Sequence, residues 1–414
     1  MPCPVDHGPG GTVTLDPYVR DLRSEREELH AAGPITRVEL PDGVTAWAVT
    51  HHGLARDLLT DRRMVKDVAH WDDLQQGRIP EGWPLLSTIP PTPTNLLGAD
   101  GPEHRRLREL TAKAFSARST ERIRPRVEQL TKDLLDALED RAGQVLDLKS
   151  EFAFKLPMNV IGELYGVDSS EHAYLRDMYV KFFSSVTSPE EFMEVYATLE
   201  RYYDDMIAAK RAAPGDDLTT DLINAGENGD ALTDLEIRGT LQVVVAAGHE
   251  TTVNLITNAV RALLTHPEQF DLVKKGEVGW DTVVEETLRF DPPTSNFVFR
   301  FAAEDVEAGG VTIEKGQALM VSYGAISRDR DEHGTEPHPD TFDLTRDRGR
   351  HISFGFGPHV CPGSHLARME GQIALPKLFE RFPDMRLAVP DAELENHPSI
   401  VVNSLKGLPV LLRP

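Results

Sequence analysis

One stretch of the chain, residues 233–265, is long enough to constrain the whole fold. Thr233 and Glu236 have the spacing of a capping box, and helical periodicity then continues without proline as far as Thr265. A helix of this length spans about 45 to 50 Å. Its apolar run LQVVVAAG is interrupted by His249 and Glu250, well short of the roughly 20 apolar residues that cross a bilayer. We therefore expect this helix to cross the interior of the folded protein.

Helical and strand-like patterns occupy different parts of the chain. ITRVEL and VTAWAVT alternate apolar and polar residues on both sides of Pro-Asp-Gly, which predicts an early β-hairpin. Helical spacing dominates from Gly101 to about Arg289, short apolar runs such as NFVFRFA and QALMVSY follow, and a last helix is expected near residues 364–382. Without visible repeats or linkers, we predict a single domain over residues 1–414, with a disordered or loosely attached tail to about residue 14.

Composition limits the partners and the compartment. The 67 acidic residues against 44 Lys and Arg give a formal net charge of −23, which argues against nucleic acid or an anionic membrane as a partner. The N-terminal MPCPVDHGPGG has neither the apolar core nor the basic lead-in of a signal peptide. Two cysteines, Cys3 and Cys361, do not suggest a disulfide framework. We predict a cytoplasmic protein.

Cys361 lies in the glycine-rich segment SFGFGPHVCPG, directly before the last predicted helix. An inert buried thiol is one interpretation. Near a helix N-terminus, however, a thiolate is stabilised by backbone N–H groups, as a nucleophile or a metal ligand requires. The nearby His359 is poorly spaced to act as its base, and Cys361 lacks the companions of a zinc site beyond His359 and His365. A single thiolate bound to one iron, as in haem-thiolate proteins, is the remaining possibility.

Three further groups of polar residues stand out. In AAGHETT, Gly248, Glu250 and Thr251 interrupt an apolar helix, so they need either a wet cavity or local partners such as a buried ion pair and bonds back to the helix. Two other pairs, Glu286 with Arg289 and His104 with Arg108, share helix faces. Solvated surface charge is the alternative interpretation of both pairs.

These segments resemble the cytochrome P450 family. FGFGPHVCPG is similar to its cysteine-ligand loop, EETLR to its Glu-x-x-Arg helix, AGHETT to its oxygen-activating helix and DGPEHRRLR to a haem-contacting helix, all in the expected order. The sequences of the motifs resemble those of soluble actinobacterial members that oxidise steroids, macrolides and terpenoids. The resemblance implies a mainly α fold with smaller β sheets, a triangular helical prism covering essentially the whole chain.

The resemblance also implies a haem b cofactor and the residues that bind it. Cys361 would be the axial iron ligand, and Gly248 would leave room for dioxygen. Phe354, Gly357 and Gly363 fit the ligand loop, while the positions that match haem propionate donors are His104, Arg108, Arg300 and His359.

Catalytic and structural roles follow from the same resemblance. Glu250 and Thr251 match the acid–alcohol pair that delivers protons to iron-bound oxygen. Glu286 and Arg289 match a structural pair that locks to the later PHPDTFDLTR segment, with Arg346 as the candidate third member.

The implied activity is a monooxygenase that inserts one atom of O2 into a C–H bond of a mid-sized apolar substrate. We expect a steroid first and a macrolide or terpenoid next, with Asn296 and Asn403 as polar anchors. The expected substrate contacts are Val244, Ala247, Thr294, Asn296, Phe297, Val298 and Val402.

Electrons are expected from a ferredoxin and its reductase, with NAD(P)H as the source, because the chain contains no flavin or iron–sulfur segment of its own. Arg105, Arg106, Lys113 and the RDRGR segment could form a basic docking patch. Two alternatives stay open: a peroxide-driven peroxygenase, which in the family usually lacks the acid–alcohol pair, and a non-enzymatic haem-based sensor.

Overall fold

The computed structural model describes residues 11–83, 85–86, 89, 95–112, 115–183, 188–227, 230–347 and 350–413. Helices predominate and the sheets are small, which confirms the expected fold class. In chain order the helices are α1 (Leu22–Ala31), α2 (His52–Thr60), α3 (Asp72–Gln75), α4 (Gly101–Ala112), α5 (Ala117–Leu138), α6 (Lys155–Tyr165), α7 (His172–Phe183), α8 (Pro189–Ala212), α9 (Leu218–Ile223), α10 (Asp234–Thr265), α11 (Pro267–Lys274), α12 (Trp280–Phe290), α13 (Tyr323–Ile326), α14 (Arg330–His333) and α15 (Ser364–Arg381).

The strands lie mostly toward the two ends of the sequence. They are β1 (Thr12–Thr14), β2 (Ile35–Glu39), β3 (Thr45–Val49), β4 (Met64–Val65), β5 (Val145–Asp147), β6 (Gly226–Glu227), β7 (Asp230–Ala231), β8 (Asn296–Ala302), β9 (Val306–Ala308), β10 (Val311–Ile313), β11 (Ala318–Ser322), β12 (Arg386–Leu387) and β13 (Pro409–Leu411).

The chain divides into two compact units. The first comprises Met1–Pro93, Glu286–Val360 and Asn396–Ser404, and the second comprises Thr94–Glu285, Cys361–Glu395 and Leu405–Pro414. The division passes through α12 and between Val360 and Cys361, so each unit is assembled from three separated segments of sequence.

The first unit is built on a six-stranded sheet with the order β1-β2-β3-β11-β8-β4. The predicted hairpin is present, because β2 and β3 pair antiparallel around the turn Pro41–Gly43, where Asp42 adopts a φ of 63°. One face of this sheet is packed by aromatic side chains, among them Trp71, Trp83 and Phe299.

The expected loose N-terminal tail does not extend to residue 14. Thr12–Thr14 form β1, which pairs parallel with β2, and Val13 is buried in the core of the first unit. The prediction is therefore wrong for these residues, because their backbone completes a sheet edge and their apolar residue joins a core. Residues 1–10 lie outside the described part of the chain.

The second unit is helical and is organised around α10. As predicted, α10 begins with a capping box: Thr233 Oγ1 accepts from the Glu236 N–H at 3.3 Å, and the Glu236 carboxylate accepts from the Thr233 N–H at 2.7 Å. Helices α6, α8 and α15 pack against it. Most of its 32 residues contribute to the buried core of this unit. None of the described helices is long and apolar enough to span a bilayer.

Candidate functional site

The loop before Cys361 is shaped by left-handed glycines in the first unit. Gly355 and Gly357 both have φ near +75°. The Gly355 N–H donates to the Ile352 carbonyl at 2.7 Å, and the Val360 N–H donates to the Gly357 carbonyl at 3.1 Å. A Cβ on Gly357 would lie 3.0 Å from the carbonyl oxygen of Leu59 at the end of α2. Glycine is therefore required there both by conformation and by close packing.

Cys361 itself lies in the second unit, two residues before Gly363, the N-cap of α15. Burial by surrounding atoms raises the pKa of the Cys361 thiol, while the Gly363 N–H and the cations Arg108 and Arg368 act in the opposite direction. Part of the residue surface is still accessible. This donor set suits a thiolate that is stabilised by hydrogen bonding and positive charge and can reach a metal from one side.

The two arginines near Cys361 differ in their partners. Arg368 forms two hydrogen bonds to Glu285, at 2.6 and 2.9 Å. The Arg108 guanidinium, which belongs to α4, makes no hydrogen bond or ion pair with any residue that the structure describes. A half-buried guanidinium without a carboxylate partner fits an anionic ligand such as a haem propionate. His104, four residues earlier, is buried in the same helix.

The middle of α10 presents an open stripe. Val244, Ala247, Gly248 and Thr251 follow the i, i+3, i+4, i+7 spacing of one helix face and are partly or fully exposed. The neighbouring Val245, by contrast, is fully buried. A Cβ on Gly248 would meet only Ile161, at 3.6 Å, so a large ligand can approach the helix backbone here. The stripe fits a planar cofactor and an apolar substrate.

Polar side chains lie at the C-terminal end of the stripe and beside it. Thr251 Oγ1 donates to the Ala247 carbonyl at 2.6 Å, and Thr252 Oγ1 donates to that of Gly248 at 2.9 Å. Glu250 Oε1 lies 3.9 Å from Lys149 Nζ. These contacts match the alternative interpretation, in which the threonines bond back to the helix and the glutamate forms a buried ion pair. The Thr251 hydroxyl is nevertheless accessible and keeps a lone pair that can accept a hydrogen bond.

Glu286 and Arg289 form a buried pair within the first unit. Arg289 donates to both oxygens of Glu286 at 2.7 and 2.6 Å, and then to the carbonyls of Pro339 and Thr341 at 2.7 and 3.0 Å. Arg346 also lies close to Glu286, with Nε 3.8 Å from Oε1. The two arginines thus connect α12 to the irregular segment before the cysteine loop, and solvated surface charge is the wrong interpretation of this pair.

The remaining predicted residues of the first unit have the following surroundings. Arg300 is buried in β8 and donates to the Met64 carbonyl at 3.0 Å. His359 ends a 3-10 turn that begins at Gly357. Phe354 precedes this turn, and its ring lies 6.1 Å from that of His351.

The two expected polar anchors are engaged within the first unit. The Asn296 side chain is 2% exposed and donates to the Ile400 carbonyl at 2.7 Å, and its buried oxygen has no partner among the described residues. Asn403 donates to Asp291 at 2.6 Å and to the Pro292 carbonyl at 3.1 Å. Both amide N–H groups of Asn403 thus have partners within the first unit.

Other expected substrate contacts in the first unit are partly accessible, namely Thr294, Phe297 and Val402. Thr294 and Val402 form an isolated β-bridge, and the Lys66 ammonium lies over the Phe297 ring, 4.7 Å from the ring centroid. The side chain of Val298 lies outside the described part of the chain.

Part of the expected docking patch is engaged in ion pairs or buried. Arg106 contacts Glu103, Asp230 and Glu236. Arg346 is buried and donates to backbone carbonyls. Neither is available to a partner protein, and Lys113 lies outside the described residues.

Two residues near this machinery escaped the sequence analysis. Lys149 is a largely buried base beside Glu250, and nothing in its local sequence marks it. Glu370 on α15 is 2% exposed, and its Oε2 has no partner in the described structure. Burial raises the pKa of Glu370 to about 8. A signal was present in the sequence, because MEGQIAL has one acidic residue in a helix segment that is otherwise uncharged.

Comparison with known proteins assigns the family. The cytochrome P450 family model matches residues 52–165 and 280–406, more than half of the chain. A 2-hydroxy-5-methyl-1-naphthoate 7-hydroxylase from Streptomyces carzinostaticus is 39% identical over 96% of this chain and 97% of its own length. A vitamin D(3) 25-hydroxylase from Pseudonocardia autotrophica is 37% identical over 93% of this chain and 92% of its own.

A solved structure gives the same result for the fold. Testosterone-bound CYP154C4 from a Streptomyces species is 51% identical, with a TM-score of 0.93 over 97% of this chain and 98% of that one. The expected P450 fold is thereby confirmed. This chain belongs to the cytochrome P450 family and is a P450 monooxygenase.

Proposed function

We propose that this P450 hydroxylates a mid-sized apolar substrate, a steroid in the first place and a macrolide or terpenoid in the second. The observation that carries the proposal is the open stripe of α10, where Val244 and Ala247 offer apolar surface next to Thr251. Two relatives support the steroid class: the 51% identical CYP154C4 is described as testosterone-bound, and a 37% identical relative is named a vitamin D(3) 25-hydroxylase.

Membership of the family implies haem, which we propose to be haem b. Cys361 would be its iron ligand, with the Gly363 N–H, Arg108 and Arg368 tuning the thiolate. His104, Arg108, Arg300 and His359 are the proposed propionate donors. Bound haem supplies the activation of O2 and the insertion of one oxygen atom into a C–H bond.

The protein's own contribution is to move protons and to exclude water. One oxygen atom enters the substrate and the other leaves as water, so each turnover consumes two protons and two electrons. The Thr251 hydroxyl lies on the open stripe, where it can accept a hydrogen bond from a water while donating to the Ala247 carbonyl. Glu250, one residue earlier, is the proposed proton source for that water.

Substrate orientation would come from a few apolar surfaces and one acceptor. Val244 and Ala247 on α10, and Thr294, Phe297 and Val402 in the first unit, are the proposed contacts. The Asn296 oxygen is the proposed polar group, since it has no partner among the described residues. A rigid ligand with one or two oxygens suits this set of groups.

The proposed electron donors are a ferredoxin and its NAD(P)H-dependent reductase, with the cytoplasm as the location. Because Arg106 and Arg346 are engaged inside the protein, docking would have to use other cations. Arg105 and Arg350 are exposed members of the expected patch that are free of ion pairs within the described structure.

The test is a titration of the haem-loaded protein with testosterone, a macrolide and a sesquiterpene, recording the spin-state change of the iron. We expect testosterone to give the tightest response and to be hydroxylated with NADH, ferredoxin and reductase. An Ala247→Phe variant, which fills the stripe, should weaken testosterone binding at least about tenfold, as expected when a bulky group blocks an apolar contact. Its reduced CO adduct should stay unchanged.

Four outcomes would contradict parts of the proposal. A response to macrolide or terpenoid alone would exclude the steroid assignment. Equal turnover with hydrogen peroxide and without electron donors would favour the peroxygenase alternative. Ligand binding without turnover under any of these conditions would favour the sensor alternative. A Thr251→Ala variant that still couples all consumed O2 to product would refute the proton-delivery role.

A further inference from the structure

The ammonium of Lys149 lies close to the carboxylate of Glu250. Nζ lies 3.9 Å from Glu250 Oε1, and the two side chains are only 12% and 16% exposed. Both residues belong to the second unit. At this separation and burial, the charges interact more strongly than a solvent-exposed pair does.

Lys149 is held firmly by its own surroundings. Its Nζ donates to the Leu405 carbonyl at 2.7 Å, and its backbone N–H donates to Asp147 Oδ1 at 3.1 Å. The same Asp147 oxygen accepts from the Leu408 N–H at 2.7 Å. The lysine, which follows β5, is thus bound to the segment that precedes β13, and this contact directs its ammonium.

The π-helical turn that begins at this lysine leads to a second contact with α10. Lys149 is the first residue of the turn Lys149–Ala153, and Phe154 follows it. His249 Nε2 donates to the Phe154 carbonyl at 3.0 Å, and the two rings pack edge to face. His249 directly precedes Glu250, so the turn contacts α10 at two successive residues. Such π turns recur at functional sites in helical proteins.

The charges around Lys149 are mixed. Burial lowers the pKa of Lys149, and the carboxylates of Glu250 and Asp147 oppose that effect. A buried ion pair adds little net stability, because desolvation offsets the attraction between the charges. The pair would therefore matter for the position of the Glu250 carboxylate rather than for stability.

We propose that Lys149 is a positioning residue for proton delivery: it orients the carboxylate of Glu250, so that Glu250 relays protons from solvent toward Thr251. The inference rests on the proposed role of Glu250. The proton enters from water and is consumed with the electrons from the redox partner, so no further reactant is needed.

The experiment compares Lys149→Met, Lys149→Arg and the matched control Lys155→Met in the full-length haem-loaded enzyme. Lys155 belongs to the same segment and pairs with Glu151 at 2.7 Å, but its side chain is 38% exposed. Testosterone is the probe substrate, and the fraction of consumed O2 recovered as peroxide is measured. Lys149→Met should raise that fraction at least about threefold, and Lys149→Arg should restore most of the coupling.

A further measurement distinguishes positioning from simple support of the fold. In the fraction of O2 released as peroxide, Lys149→Met and Glu250→Gln should be non-additive when combined, because both changes interrupt the same proton path. Lys155→Met should leave the coupling unchanged in either background.

Three negative results would each identify a different error in the proposed role of Lys149 or Glu250. If Lys149→Met lowers the unfolding midpoint but leaves peroxide release unchanged, Lys149 is only structural and the inference is overturned. If Glu250→Gln itself leaves peroxide release unchanged, the proposed role of Glu250 fails first. If Lys149→Met uncouples equally in the wild-type and Glu250→Gln backgrounds, Lys149 acts by another route and the inference is wrong.

Discussion

The guanidinium of Arg289 donates two hydrogen bonds to the carboxylate of Glu286, one helical turn earlier on α12. The two side chains are 3% and 7% exposed, and the remaining donors of Arg289 reach three backbone carbonyls. Every polar group of the pair is therefore engaged, which is the condition under which a buried ion pair is tolerated.

Removal of one partner from this pair should be costly. Arg289→Met removes two hydrogen bonds from the buried Glu286 carboxylate, which keeps the Asp343 N–H at 3.0 Å, and it removes a donor from three backbone carbonyls. We expect a loss of about 3 to 5 kcal/mol in the free energy of unfolding. Arg261→Met is the matched control, because Arg261 also binds an acid through two bonds, at 2.7 and 3.0 Å to Asp391, but at 30% exposure. The control should lose no more than about 1 kcal/mol. Urea unfolding measures both, and equal losses would contradict the prediction.

Cys361 should determine the optical spectrum of the haem-loaded protein. Replacing the thiolate by an imidazole in Cys361→His changes the proposed axial ligand, so the red-shifted Soret band of the reduced CO adduct should be lost together with hydroxylation. Cys3→Ser is the control for the other cysteine and should keep the band. A red-shifted band that survives in Cys361→His would refute the ligand assignment.

Substitution of two glycines in the cysteine loop can distinguish the cost of backbone strain from the cost of a steric conflict. Gly355 and Gly357 share a φ of +75°, so alanine at either position should cost about 1 to 2 kcal/mol. At Gly355 the nearest neighbour of a new Cβ is 3.5 Å away, whereas at Gly357 it meets Thr60 and the Leu59 carbonyl at 2.9 and 3.0 Å. Gly357→Ala should therefore have the lower urea midpoint and the poorer haem loading. The reverse order would contradict this packing argument.

Glu370 should make the protein less stable as pH rises. Burial raises the pKa of Glu370 to about 8, whereas the carboxyl group has its ordinary value of 4.5 in the unfolded chain. Between these two values the unfolded state releases a proton that the folded state retains, so the free energy of unfolding falls with pH, by at most about 1.4 kcal/mol per unit.

Glu370→Gln removes this proton release. We expect its stability to equal that of the wild type near pH 4.5 and to exceed it increasingly toward pH 8, as measured by urea unfolding across that range. Glu190→Gln, on the exposed side of α8, should leave the pH dependence unchanged. Parallel pH curves for the wild type and Glu370→Gln would show that the Glu370 side chain is solvated.

Local sequence rules predicted the elements well. The capping box of Thr233 and Glu236, the 32-residue α10 and the hairpin around Pro41–Gly43 follow from hydrogen bonds and periodicity within a few residues. The spacing of Phe354, Gly357, Cys361 and Gly363 was enough to indicate the family, because few chemistries need one cysteine in a glycine-rich loop before a helix.

The tertiary structure decided which charges are buried and what they meet. Glu286 and Arg289 show the pairing expected of neighbours three residues apart, but their burial depends on a segment 50 residues further along. Arg106 and Asn403 were expected to serve a partner and a substrate, and long-range contacts engage them inside the protein instead. Lys149 and Glu250 are about 100 residues apart in sequence, so no local pattern could join them. Sequence therefore determines the helices and the cysteine loop through short-range forces, whereas electrostatics depends on burial and distance, which only the folded chain defines.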